Sequence, residues 1–213
     1  MNRANHPGVF ITFEGGEAVG KSTQIARLAA TLRQQGRTIV LTREPGGTPG
    51  AESLRALMLD PATSLAPLAD TLLVFAARAD HVETLIRPAL ARGAIVLCDR
   101  FTDSTMAYQG HGLGVEPAII ATLASLIGLT PDLTLILDAP PEIAAARLAA
   151  RFAAHSGRPD RYERFDADFA ARIAAGFRAI AAADPARCAL IDATGSIDSI
   201  AATIAATVAA RVA

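Results

Sequence analysis

Chemistry concentrates first in Gly15-Gly16-Glu17-Ala18-Val19-Gly20-Lys21-Ser22, which has the spacing G-x-x-x-x-G-K-S. Glycines at this spacing let successive backbone N–H groups turn inward around a phosphate. A helix starting there adds unpaired donors and partial positive charge. Lys21 is placed to reach the β- and γ-phosphates of a nucleotide, and the Ser22 hydroxyl to hold Mg²⁺. A glycine turn before a helix can also arise by chance, so the flanks decide. Residues 8–13 are apolar, β-branched and aromatic, which predicts a strand. Residues 22–35 repeat Ile25, Leu28, Ala29 and Leu32 at helical spacing.

A strand predicted over 38–42 runs into Arg43-Glu44-Pro45-Gly46-Gly47-Thr48-Pro49-Gly50, a loop at the strand end where α/β sheets bind ligands. The Arg-Glu pair fits a surface ion pair or an anion clamp, and position alone leaves both open. The apolar run 94–98 predicts a central strand and ends in Asp99-Arg100. A carboxylate at that tip suits a metal near phosphates. Asp138 ends another strand and competes for the role; Asp99 is preferred because Arg100 and a polar face follow it. Ser104, Tyr108 and, less regularly, Arg100 are predicted on one helix face at i, i+4 spacing, which suits a phosphorylated sugar. Phe75, spaced helically from Leu68 and Leu72, is predicted in the core, and Arg78 alone reads as a solvated helix charge. Arg147, Arg151, Arg158, Arg161 and Arg164 cluster around Gly157 and Pro159. They form either a solvated charged loop or a lid carrying cations over phosphates.

These residues need a frame. Strands over 8–13, 38–42, 94–98, 133–138 and 188–192 alternate with helices over 22–35, 52–59, 65–90, 116–127, from 165 onward and over 197–212. That alternation predicts an α/β fold, a five-stranded parallel sheet with helices on both faces. The 213 residues suit a flexible tail over 1–7 and a single domain over 8–213, with a short lid at about 147–165. Net charge is −1, which provides no global field for nucleic acid or anionic membrane. Cys98 and Cys188 lie in apolar runs and read as buried thiols of a reducing compartment. Residues 1–7 are polar, without the apolar core of a secretion signal, so a cytoplasmic location is expected.

Together, Phe13-Glu14-Gly15 with the phosphate loop, Thr42-Arg43-Glu44-Pro45-Gly46-Gly47-Thr48, Phe75-Ala76-Ala77-Arg78, Asp99-Arg100-Phe101 and Ser104-Thr105-Met106-Ala107-Tyr108-Gln109-Gly110 resemble the thymidylate kinase family. The resemblance runs from Gly8 over nearly the whole chain. It implies the P-loop nucleoside-monophosphate kinase fold, transfer from ATP to dTMP by direct in-line attack giving dTDP for dTTP synthesis, Mg²⁺, and a homodimer. ATP would lie on Gly15, Gly16, Glu17, Ala18, Val19, Gly20, Lys21, Ser22 and Thr23, with Arg147 against adenine. Arg43 and Arg100 would grip the dTMP phosphate. Phe75 would stack on thymine, Arg78 would donate to a thymine carbonyl, and Gln109 would read the base edge. Tyr108 would sit against the sugar 2′ carbon, and Glu17 would accept from the 3′-OH. Ser104 and Asp99 would complete the phosphate and metal surroundings, with Ser22 as the other metal ligand. The variable positions of the phosphate loop carry no cation, which implies a lid arginine at the transition state: Arg161, with Arg151 and Arg158 in reserve. Phe101 departs from the Tyr or His more familiar after Asp-Arg.

Rival readings are a kinase for another nucleoside or nucleotide, a guanine-nucleotide switch and a nucleic-acid motor. The Asn-Lys-x-Asp signature of guanine readers is excluded, since Asn2 and Asn5 are the only asparagines. A motor lacks its basic stripe here.

Overall fold

A computed structural model describes residues 6–60, 62–154 and 166–212, with the side chains of 151, 152 and 154 excepted. The chain runs β1 (Val9–Glu14), α1 (Lys21–Gln34), β2 (Ile39–Arg43), α2 (Pro49–Leu59), α3 (Pro67–His81), a π-helical turn (Val82–Ile86) and α4 (Arg87–Ala91). It continues through β3 (Ile95–Asp99), α5 (Thr102–Thr105), a second π-helical stretch (Met106–Gly112), α6 (Pro117–Ile127), β4 (Leu133–Asp138), α7 (Pro141–Ala154), α8 (Ala167–Ala183), β5 (Cys188–Asp192) and α9 (Ile197–Val212). The five strands form one parallel sheet in the order β2-β3-β1-β4-β5. β1, not the more uniformly apolar β3, therefore holds the middle, and the phosphate loop leaves from the centre of the sheet.

Strand periodicity splits the core into two. Ile11, Phe13, Ile95, Leu97, Leu133 and Leu135 face one way, onto Leu28 of α1 and Ile204 of α9. Phe10, Val96 and Cys98 face the other way, onto Val82, Ile86 and Leu90. Glu14 shares the second side, and its carboxylate is taken up by groups following β3.

Local chemistry sets the helix starts. The Thr48 hydroxyl accepts from Ala51 N at 3.3 Å, with Pro49 at the first helical position. Asp166 caps α8 through Phe169 N at 2.8 Å, and Ser196 caps α9 through Ser199 N at 3.1 Å. The helix predicted over 65–90 is interrupted by the π turn, the single-turn form in which π-helix mostly occurs. The lid expected from 147 begins inside α7, and residues 155–165 lie outside the described residues.

Candidate active site

The phosphate loop needs left-handed backbone. Gly15 has φ 125° and Gly20 φ 99°. A Cβ on Gly15 would stand 2.3 Å from the Leu137 carbonyl oxygen, so the loop leaves β1 against β4 only with glycine there. Lys21 is buried, and its Nζ donates to the carbonyls of Gly15 at 3.1 Å and Gly16 at 2.6 Å. Burial first, then the neighbouring Arg100 charge, pushes its amine down to about 8. Ser22 Oγ donates to Asp99 Oδ2 at 3.1 Å. The rival Asp138 accepts from Arg178 Nε at 2.8 Å and does not line the cleft beside the loop. Val19 turns its side chain into the core, which leaves only its backbone open to a ligand.

A cleft of about 450 Å³ opens beside this loop. Glu17, Ala18, Gly20, Lys21, Ser22, Thr23, Arg43, Arg78, Asp99, Arg100, Ser104, Tyr108, Gln109 and Arg147 line it. Most of the expected site residues, from separate elements, thus come together. Arg147 Nη1 donates to the Ala193 carbonyl at 3.0 Å.

Arg43 and Glu44 do not pair with each other. As successive residues at a strand end they point oppositely. Arg43, half exposed, pairs with Glu52 Oε1 at 2.9 Å, leaving an arginine at the cleft edge. Glu44 turns inward to Arg78, whose Nε reaches Glu44 Oε2 at 2.7 Å. Arg78 is therefore not a solvated charge: it is 2% exposed, and its Nη2 donates to Thr105 Oγ1 at 3.0 Å. Its guanidinium lies between the rings of Phe75 at 4.8 Å and Phe101 at 5.0 Å. Nη1 has no partner among the described residues. His81, fully buried, places Nδ1 3.0 Å from Glu44 Oε1 and Nε2 2.6 Å from Thr42 Oγ1. Phe75 is 5% exposed, packs with Val115 and Ile120, and does not line the cleft. Its place matches the helical pattern, behind Arg78. The aromatic rings at the cleft wall are Tyr108 and Phe101, the latter edge-on to Phe10 at 4.9 Å.

Arg100, Ser104 and Tyr108 do not share one helix face as expected. Arg100 precedes α5 with φ 72°, a strained conformation for a residue with a Cβ. Backbone bonds hold it on both sides: Arg100 N donates to the Phe13 carbonyl at 2.9 Å, and Phe101 N to Glu14 Oε1 at 2.8 Å. The three side chains converge nonetheless. Arg100 Nη1 donates to Ser104 Oγ at 3.2 Å and to the Gly15 carbonyl at 3.0 Å. Its Nη2 donates to Glu17 Oε1 at 2.6 Å. Tyr108 OH donates to the same Glu17 oxygen at 2.7 Å, and the Arg100 guanidinium lies 4.9 Å from the Tyr108 ring. Burial pushes the Tyr108 phenol well above its ordinary value, so it stays a neutral donor. Gln109 Nε2 donates to the buried Asp70 carboxylate at 2.9 Å.

Sequence reasoning missed the polar residues behind this wall: Glu14, Asp70 and His81, each fully buried. A signal existed for two of them. Asp70 and His81 fall among apolar helix positions, where a charged or titratable group calls for a partner. Arg151 has no described side chain, and Arg158 and Arg161 lie outside the described residues.

The arrangement can cradle a polyphosphate on the loop, hold a second anion at Arg43 and Arg100, and present a donor, Arg78, to a planar base. Comparisons with known proteins agree. A family model described as thymidylate kinase matches residues 13–204. Thymidylate kinase of Chromohalobacter salexigens is 51% identical over 211 residues, covering 97% of this chain and 98% of that protein. Thymidylate kinase of Caulobacter vibrioides is 48% identical over 200 residues, 92% of this chain and 94% of that protein. The crystal structure of thymidylate kinase from Ehrlichia chaffeensis superposes with a TM-score of 0.75 at 34% identity, covering 95% of this chain and 98% of that one.

Proposed function

The chain belongs to the thymidylate kinase family, and from that premise we propose how its cleft carries out the reaction. The enzyme phosphorylates dTMP to dTDP with ATP. The acceptor phosphate attacks the ATP γ-phosphorus in line, without a covalent intermediate, and the dTDP formed feeds dTTP synthesis. ATP lies along residues 15–23 with Arg147 against its base. Lys21 exchanges the carbonyls of Gly15 and Gly16 for the β- and γ-phosphates, whose negative charge favours its protonated form. Arg43 and Arg100 hold the acceptor phosphate, where a planar guanidinium matches two oxygens.

The observation that carries the base assignment is Arg78. Glu44 and Thr105 fix its guanidinium, two aromatic rings sandwich it, and one nitrogen is left without a partner. A buried unpaired donor suits a base carbonyl such as thymine's and rejects an amino group in its place. Gln109 reads the neighbouring edge, and Phe75 supports the base from behind Arg78. Tyr108, held by Glu17, fills the space a ribose 2′-OH would need, and Glu17 accepts from the 3′-OH.

Mg²⁺ fits the donors present. Ser22 Oγ and Asp99 Oδ2 are hard oxygen ligands 3.1 Å apart, and this ion takes few protein ligands, completing its shell with water and phosphate. When bound it neutralises charge on the phosphates. Arg161 supplies the remaining transition-state cation from the lid, with Arg151 and Arg158 in reserve. The enzyme works as a single domain over 8–213, in the cytoplasm, where its free buried thiols stay reduced. Among the described residues no helix is long and apolar enough to cross a membrane. It pairs as a homodimer through α3 and α6, which pack together and leave Leu68, Leu72, Ile119 and Leu126 exposed.

The test is an ADP-release assay with ATP and each of dTMP, dUMP, UMP, dCMP and AMP. dTMP should give the highest kcat/KM; preference for dCMP or AMP would overturn the base-site assignment.

A further inference from the structure

Glu14 is a fully buried carboxyl behind the acceptor site that the mechanism has not used. It ends β1 and joins that strand to the segment carrying Arg100 and Ser104. Its Oε1 accepts from Phe101 N at 2.8 Å, and its Oε2 accepts from Ser104 Oγ at 2.5 Å. Ser104 Oγ in turn accepts from Arg100 Nη1 at 3.2 Å and borders the cleft.

A hydroxyl has one proton to give and two lone pairs. While Glu14 is a carboxylate, the Ser104 proton goes back to it, and Ser104 offers the cleft no donor. If Glu14 carries a proton, the bond reverses. The Glu14 O–H donates to one Ser104 lone pair, Arg100 keeps the other, and the Ser104 O–H is left to point into the cleft. We propose that Glu14 is a positioning residue for the acceptor site: the proton it carries or lacks decides whether Ser104 donates to the dTMP phosphate or turns back to the protein. This rests on the reading of Arg100 and Ser104 as the acceptor-phosphate surroundings.

The reversal falls within an accessible pH range. Burial, and after it the Asp103 charge, raises the Glu14 carboxyl to about 8, against the hydrogen bonds from Ser104 and Phe101 and the Arg100 charge, which lower it. The other ionisable groups around it are Asp103 on α5, paired with Arg187 at 2.6 Å, Arg100, Lys21, Cys98 on β3 and Cys188 on β5. Both thiols are raised by burial, Cys188 to about 12, and stay neutral at pH 9. Lys21 alone of these is also placed near 8.

The experiment is calorimetric titration of the full chain with dTMP, without ATP, at pH 7 and pH 9. The nucleotide phosphate is a dianion at both. Wild-type affinity should fall about tenfold between them, the loss of one hydrogen bond to a charged group. Glu14→Gln keeps an N–H donor toward Ser104 at every pH, so its affinity should be the same at pH 7 and pH 9. Lys21 feels the Glu14 charge, so Ser104→Ala, which keeps both groups, is the control that isolates the Ser104 donor. Ser104→Ala serves if Glu14→Gln misfolds: its affinity should be flat and near the wild-type value at pH 9. Parallel profiles in wild type and Glu14→Gln, or a wild-type slope retained in Ser104→Ala, would overturn the role of Glu14 alone. Failure of the wild type to bind dTMP at pH 7 would overturn the acceptor assignment as well.

Discussion

At the scale of single residues, this site depends on buried charges that partner one another rather than water. Lys21 is the clearest case for kinetics. Removing it leaves no buried partner uncompensated, because the Gly15 carbonyl keeps its bond from Arg100 Nη1 and Gly16 is only partly buried. Lys21→Ala should therefore keep the wild-type thermal midpoint while kcat falls by about 10²–10³-fold, the usual effect of deleting one preorganised donor at developing charge. Glu44 is the opposite case. Glu44→Ala strands Arg78 and His81 in the interior and should cost about 3–5 kcal/mol in chemical denaturation. A loss under 1 kcal/mol would mean that the pair is not buried as described. Glu14 links the site to stability. Its carboxyl is raised from the ordinary value to about 8, so between roughly pH 4.5 and pH 8 the folded state binds more protons than the unfolded one. Stability from this group is then present in acid and lost as pH rises through 8. Melting curves from pH 5 to pH 8 should fall more steeply for wild type than for Glu14→Gln, and equal slopes would contradict the shift.

At the scale of elements, the π-helical stretch Met106–Gly112 decides where Tyr108 and Gln109 point. It packs on α8, with the Tyr108 ring edge-on to Phe169 at 6.3 Å and to Phe177 at 6.4 Å. Gly112 is the contact point. A Cβ there would meet Phe169 Cε2 at 2.6 Å, and Phe169 is a buried ring with little room to move. Gly112→Ala should cost about 1–3 kcal/mol and tilt the stretch away from α8. Since Tyr108 rides on it, discrimination between dTMP and its ribose counterpart should weaken in the same variant. A stability loss with sugar preference unchanged would separate Tyr108 from the sugar.

At the scale of the whole molecule, parallel strand order brings the ends of β1, β2 and β3 to one edge of the sheet, so residues as distant as Lys21, Arg43 and Asp99 meet in one cleft. The opposite demand comes from α6, whose sequence is almost wholly apolar yet buries only Ile120. If α3 and α6 cover each other's exposed leucines across a two-fold axis, Leu126→Glu should halve the mass measured by sedimentation equilibrium. An unchanged mass would place the interface elsewhere.

The sequence alone determined the strand–loop–helix of residues 9–34, the alternation of strands and helices, and the segments that carry chemistry. These follow from local rules: glycine spacing, the two periodicities and turn residues act between near neighbours in the chain. Tertiary structure decided what those rules cannot reach. Strand order depends on pairing between distant segments: uniform apolarity marked β3 as an interior strand, and pairing put β1 beside it in the middle of the sheet. Whether Arg78 is solvated depends on Glu44, 34 positions away, and on two rings that close over it. Arg100 joins Ser104 and Tyr108 through a left-handed residue and not through a helix face, because Glu14, from the neighbouring strand, holds the next peptide. Burial of a charge is a property of everything packed around it, so the partners of the polar residues behind the cleft became legible only once the chain had folded.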